Sequence, residues 1–121
     1  MALGTELGST APALLCLHQT GASSAEWRPL GEALGGRARL LAPDRLGWAE
    51  AELPEGYRAT TIHEQAEDAA SRLSGPGNRP AIACGAGIGA AIALDLLLGH
   101  PELVSGAVLI EPPLLAFSTA A

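Results

Sequence analysis

Between Pro80 and Glu111 the chain reads PAIACGAGIGAAIALDLLLGHPELVSGAVLIE, a stretch almost free of charged side chains. Ala81 to Cys84 is a short apolar run that reads as a buried strand. Gly85-Ala86-Gly87-Ile88-Gly89 is a turn of residues with little or no side chain, apart from Ile88. Ala90 to Leu98 is rich in strong helix formers, and Gly99 followed by Pro101 supplies the stop. Ala107 to Ile110 is a second continuous apolar run, and it ends at a carboxylate, Glu111. Strand, crossover helix and strand in that order make a right-handed unit of a parallel sheet, buried on both faces.

The rest of the chain repeats this alternation. Residues 1–10 read as a loose lead-in with room for a short edge strand. Ala13 to Leu17 is a first buried strand, and His18-Gln19-Thr20-Gly21 leaves its end. Ser23 or Ser24 can cap a helix from Ala25 to Leu34, with Trp27, Leu30 and Leu34 at helical spacing. Ala38 to Ala42 is a second strand, followed by Pro43-Asp44-Arg45-Leu46-Gly47-Trp48. Ala49 to Ala59 is polar and reads as a surface loop. Thr60 or Thr61 can cap a helix running to about Leu73, with Ile62, Ala66, Ala69, Ala70 and Leu73 as its apolar stripe. Glu64, three residues after Thr61, completes the spacing of a capping box. Residues 112–121 form an apolar tail without clear period.

Four strands and about three helices in alternation imply one α/β domain over residues 1–121. Its architecture is a three-layer sandwich around a four-stranded parallel sheet of order 2-1-3-4. The order reverses between the first and third strands, and a ligand crevice is expected outside the carboxyl ends of the strands there. His18, Thr20, Asp44, Trp48, the Gly85–Gly89 turn and Glu111 all fall at those ends. Composition agrees with buried strands: 48% of residues are hydrophobic and 17% charged, against about 25% charged in an average domain. A formal charge of −6, with all seven basic residues arginine, argues against nucleic acid or an anionic membrane as partner. Met1 to Ala13 lacks the features of a signal peptide, and no apolar run approaches membrane-spanning length, so a cytoplasmic location is expected. Cys16 and Cys84 fall in predicted core strands, and a bridge between them requires those strands to be neighbours.

The glycine turn admits two functional readings. As Gly85-x-Gly87-x-x-Ala90 it meets the dinucleotide fingerprint, with Glu111 about twenty residues on at the next strand end. Against this, the fingerprint normally opens the first strand-helix-strand unit, and here two strands precede it.

The second reading is a resemblance to the N-terminal half of the α/β-hydrolase fold, covering roughly Leu14 to Pro113. Leu17-His18-Gln19-Thr20-Gly21-Ala22-Ser23-Ser24 with Trp27 is similar to that family's oxyanion loop. Ala42-Pro43-Asp44-Arg45-Leu46-Gly47-Trp48 resembles the loop after the next strand. Gly85-Ala86-Gly87-Ile88-Gly89 falls where the G-x-S-x-G nucleophile elbow belongs. His100-Pro101-Glu102-Leu103-Val104 and the run Val108 to Pro113 are similar to the end of the elbow helix and the following strand.

The departures from the family pattern bear on chemistry. Gly87 replaces the elbow serine, so the covalent step has no nucleophile there. The family's usual acid and histidine fall beyond residue 121, and ordinary Ser-His-Asp hydrolysis is not expected from this polypeptide alone. The resemblance leaves backbone N–H groups of Ile88 and of a residue near Gln19 or Thr20 as an oxyanion hole. It offers Glu111 as an acid, base or orienting group, the alternative being a carboxylate that merely ends a strand in water. His18 and Asp44 are the other catalytic candidates, each with a structural reading as a loop organiser. His63 and His100 read as surface and helix-end residues. Gln19, Thr20, Gly21, Trp48, Ala86, Gly87 and Ile88 are the candidate ligand contacts.

The implied ligand is a small apolar carbonyl compound, handled by isomerase-, cyclase- or lyase-type chemistry without cofactor or metal. A non-catalytic binding or assembly module is the alternative. A half-fold also leaves the surface of the third and fourth strands bare on one side. A homodimer, or a complementary half, is the expected partner that covers it.

Overall fold

Two strands with apolar residues at nearly every position, 13–17 and 81–84, can only sit where both faces are covered. They form the centre of the sheet. The structure, a computed structural model, describes residues 2–3, 11–48, 51, 55, 61–73, 75 and 77–113. Its strands are β1 (Ala2–Leu3), β2 (Ala13–Leu17), β3 (Arg39–Leu41), β4 (Ala81–Ala86) and β5 (Val104–Ile110), in the order β1-β3-β2-β4-β5. β3, β2, β4 and β5 are parallel, which is the expected 2-1-3-4 order. β1, from the lead-in, pairs antiparallel on the outer side of β3. The surface loop expected over 49–59 and the tail 114–121 lie largely outside the described residues.

Alternation along each strand divides the core in two. Ala13, Leu15, Leu17, Ala81, Ala83 and Val104 face α2 (Ile62–Ser71) and α3 (Ile88–Gly99). There they join Ala66, Ala69, Ala70, Leu73, Ile92, Ala93 and Leu96 in one buried cluster. Cys16, Leu40 and Cys84 face the other way, with Ala38 and Ala42, beneath Trp27 and α1 (Arg28–Leu34). Thr61 caps α2 as the sequence predicts: its hydroxyl accepts the Glu64 N–H while the Glu64 carboxylate accepts the Thr61 N–H. Ile62, expected on the buried stripe, lies in the first turn of α2 and is 41% exposed.

Several boundaries differ from expectation. The helix expected over Ala25–Leu34 is a 3-10 turn, Ser24–Trp27, followed by α1. Pro29 lies in the first turn of α1, where its missing N–H and fixed φ favour a helix start. α3 begins at Ile88, two residues early, because Gly87 completes the turn alone. β5 begins at Val104 instead of Ala107, and a register shift opposite Ala81 and Ile82 takes up one extra residue. The bare face expected over β4 and β5 is confined to β5: Val108 and Ile110 are 50% and 47% exposed, whereas Cys84 on β4 is buried.

Candidate functional site

The turn from β4 into α3 is shaped by backbone contact. A Cβ on Gly85 would stand 2.1 Å from the Gly89 carbonyl oxygen, and one on Gly89 would stand 2.1 Å from that of Leu17. Both positions therefore exclude any side chain. Between them Gly87 adopts φ +58° and ψ −125°, a conformation that costs a non-glycine residue about 1–3 kcal/mol. The Gly87 N–H donates to the Ile110 carbonyl at 3.0 Å. That bond holds the turn against the end of β5, where Glu111 follows with φ +49°, an unusual value for a non-glycine residue.

A cleft of about 500 Å³ opens beside this turn, lined by Gln19, Glu26, Trp27, Leu30, Ala86, Gly87, Ile110 and Glu111. Its volume lies in the range of small-molecule sites. Gln19, Ala86, Gly87 and Glu111 were expected there from the sequence. Thr20 and Gly21 are exposed in the loop after β2 and do not line the cleft, and Ile88 packs its side chain against the cluster under α2 and α3. The Ile88 N–H, in the first turn of α3, has no acceptor within the helix, as at any helix start.

His18, Asp44 and Trp48 stand behind the cleft wall. His18 is fully buried. Its Nε2 accepts the Arg45 N–H at 2.9 Å, so its Nδ1 carries the hydrogen and donates to the Gln19 carbonyl at 2.9 Å. Both ring nitrogens are thus engaged within the chain, joining the loop after β2 to the loop after β3. Arg45 returns the contact, donating from Nε to the His18 carbonyl at 2.7 Å and from a terminal nitrogen to Gln65 Oε1 at 2.6 Å. Burial draws the Arg45 guanidinium below its ordinary pKa, and the nearby Glu26 charge opposes that. Trp48 stacks edge-on to His18 and lies 5.5 Å from the Arg45 guanidinium. The Asp44 carboxylate accepts the Ser24 N–H at 2.8 Å, fixing the 3-10 turn that carries Glu26 and Trp27.

Glu26, Trp27, Leu30 and Ile110 line the cleft and were not among the residues expected there. Glu26 accepts from the Gln19 N–H at 3.1 Å and from Gln19 Nε2 at 2.7 Å. One of the backbone donors expected to form an oxyanion hole is thus occupied by a carboxylate of the chain itself. Nothing in the spacing of Gln19 and Glu26 announces that contact, which exists only once the loop folds back. Trp27, read as core, is 5% exposed, lines the cleft, and its indole N–H meets no acceptor among the described residues. Among the described residues no cluster of His, Cys, Asp or Glu is arranged to hold a metal ion, and no helix is long and apolar enough to cross a membrane.

A parallel sheet, a tight glycine-built strand-to-helix turn at its carboxyl end, and a cleft built against that turn define a hydrolase-type α/β architecture. The chain belongs to the alpha/beta hydrolase fold family, whose model matches residues 12–121. It is 31% identical over 113 residues to YraK, an uncharacterized hydrolase of Bacillus subtilis, covering 91% of this chain and 41% of that protein. Among solved structures, it is similar to an epoxide hydrolase from metagenomes of hot environments, with TM-score 0.77, 27% identity and coverage of 88% and 36% of the two chains. It also resembles the 2-hydroxy-6-oxo-6-phenylhexa-2,4-dienoate hydrolase of a Rhodococcus strain, with TM-score 0.72, 26% identity and coverage of 88% and 40%. The chain spans about two fifths of the length of these relatives.

Proposed function

We propose that this chain forms the elbow-bearing part of an α/β-hydrolase-fold protein that binds a small apolar carbonyl compound and acts on it without a covalent intermediate. The observation that carries the reading is Gly87. It holds the positive-φ elbow conformation, contributes no nucleophile, and lies in one cleft with the Glu111 carboxylate. Trp27, Leu30, Ala86 and Ile110 supply apolar walls. The Ile88 N–H at the start of α3 is the donor for a carbonyl oxygen. Glu111 then takes or returns a proton at the carbon beside that carbonyl, which is general acid–base catalysis.

Acetophenone in heavy water tests both halves of this reading. Saturable shifts of the Gly87 and Ile88 amides and the Trp27 indole in an NMR titration support the ligand class, and their absence removes it. Accelerated deuterium uptake at the acetophenone methyl that disappears in Glu111→Gln supports the acid–base role; unchanged uptake excludes Glu111. The same proposal includes a homodimer paired through the exposed outer row of β5, Val108 and Ile110. Light scattering at twice the 12.2 kDa chain mass is expected, and a well-behaved monomer removes that part.

A further inference from the structure

The proposed chemistry leaves two nucleophilic groups unused, the thiols of the chain's two cysteines. Cys16 on β2 and Cys84 on β4 are register partners, directly opposite one another on neighbouring parallel strands. Both project to the α1 side, both are buried, and neither is in a disulfide. Adjacent strands run about 4.8 Å apart, inside the roughly 4.4–6.8 Å that bridged Cα atoms span. The Cys16 thiol donates to the Leu14 carbonyl at 3.9 Å.

The cover over this pair is thin. Trp27, Leu30 and Ala86 pack in the same cluster as Cys16 and Cys84, and the same three residues line the cleft. Three residues of the cleft lining thus belong to the cluster that buries the thiols. Cys84 is the more accessible sulfur, at 5% residue exposure against 0% for Cys16.

We propose that Cys16 and Cys84 form a peroxide-reactive dithiol fed through the cleft. The Cys84 sulfur attacks the O–O bond of hydrogen peroxide, leaving a sulfenic acid on Cys84 and releasing one water. The Cys16 sulfur then displaces the sulfenic oxygen as a second water and closes a disulfide between β2 and β4. Two electrons leave the sulfurs and reduce one O–O bond, and both thiol protons end in water.

The thiolate is the attacking form. The neighbouring Cys16 thiol lowers the Cys84 pKa, with burial acting against it, while Cys84 and burial both raise that of Cys16. The attacking and resolving roles follow from this asymmetry together with the exposure.

The test is exposure of the folded, reduced chain to hydrogen peroxide, followed by alkylation in urea and intact-mass measurement. The expected product is a monomer lighter by two hydrogens, with both alkylatable thiols lost and both recovered on adding dithiothreitol. Tryptophan fluorescence, reporting Trp27 above the pair, shifts with the same time course. Cys16→Ser stops at a Cys84 sulfenic acid that dimedone captures. Cys84→Ser loses thiol at least about tenfold more slowly, since the remaining sulfur is both buried and without a low-pKa partner. Circular dichroism of the two serine variants confirms that they fold. Thiols that survive peroxide in the folded chain, a disulfide-linked dimer, or a sulfinate without a bridge would each overturn the proposal.

Discussion

The two faces of the sheet are built from the same strands by alternation, yet they differ in thickness. Under α2 and α3 the face is closed, with Leu15, Leu73, Ile92 and Leu96 at or below 1% exposure. Under α1 the face is thin: α1 itself buries no residue, Trp27 does most of the covering, and Val108 and Ile110 are about half exposed. All the chemistry-bearing groups of interest, the cleft, the elbow and the thiol pair, lie on or at the edge of the thin face. The difference teaches that stability is concentrated on one side, which leaves the other free to hold a cavity, a strained turn and buried sulfur.

The largest expected effect lies on the closed face. Leu96→Ala removes a fully buried side chain between α3 and the sheet, and a loss of about 2–5 kcal/mol is expected in urea unfolding. Gly87→Ala comes next. Its Cβ enters a positive-φ position 3.2 Å from the Gln19 Cβ, and a loss of about 1–3 kcal/mol is expected. A loss below that would show the elbow to be relaxed, and the thin face to hold no strain. Val108→Ser on the thin face should change the stability of a dilute, monomeric sample by no more than about 0.5 kcal/mol. A cost equal to that of Leu96→Ala would abolish the contrast between the faces.

The smallest effect is a pH dependence on the outer surface of the closed face. There Glu67 lies 2.8 Å from His100 and 3.6 Å from His63, while Asp95 bonds His63 and Glu102 bonds His100. The hydrogen bond to Asp95 raises the His63 pKa, and the hydrogen bond to Glu67 raises that of His100. Groups raised on folding stabilise fully below their unfolded pKa of about 6.5 and lose that contribution as the pH climbs through the raised folded value. The thermal midpoint should therefore fall between about pH 6 and about pH 8, and Glu67→Gln should flatten the slope. A midpoint that rises with pH in the parent chain would show that these contacts do not form.

The fold was legible because buried parallel strands announce themselves as apolar runs, and because 13–17, 81–84 and 107–110 are separated by segments of clear helical character. The Thr61–Glu64 capping box was legible for the same local reason, since both partners lie within one turn. The start of β5 was hidden: Ser105 and Gly106 break the apolar run, and only the partner strand reveals that they are extended. The site was half legible. Gly87 and Glu111 follow from their positions at strand ends, whereas the Gln19–Glu26 contact depends on a loop folding back, and the role of His18 depends on Arg45, 27 residues away. Such long-range pairs leave no periodic trace in a sequence.

The extra residue in β5 decides more than a pairing register. In an unbroken strand, Val108 and Ile110 would fall in phase with Val104 and point toward α3, with Leu109 on the opposite side. The shift near Ser105 reverses that phase, so Leu109 goes under α3 and Val108 and Ile110 go outward. Ile110 is carried to the cleft wall by the same reversal, and Glu111, past the strand end with φ +49°, joins it there. A one-residue deletion at this point would rotate the end of the strand by half a turn and take Ile110 out of the cleft wall. The length of the β4–β5 connection is thus a digital setting for the site, in which parity rather than distance selects the side that receives the cleft's apolar wall.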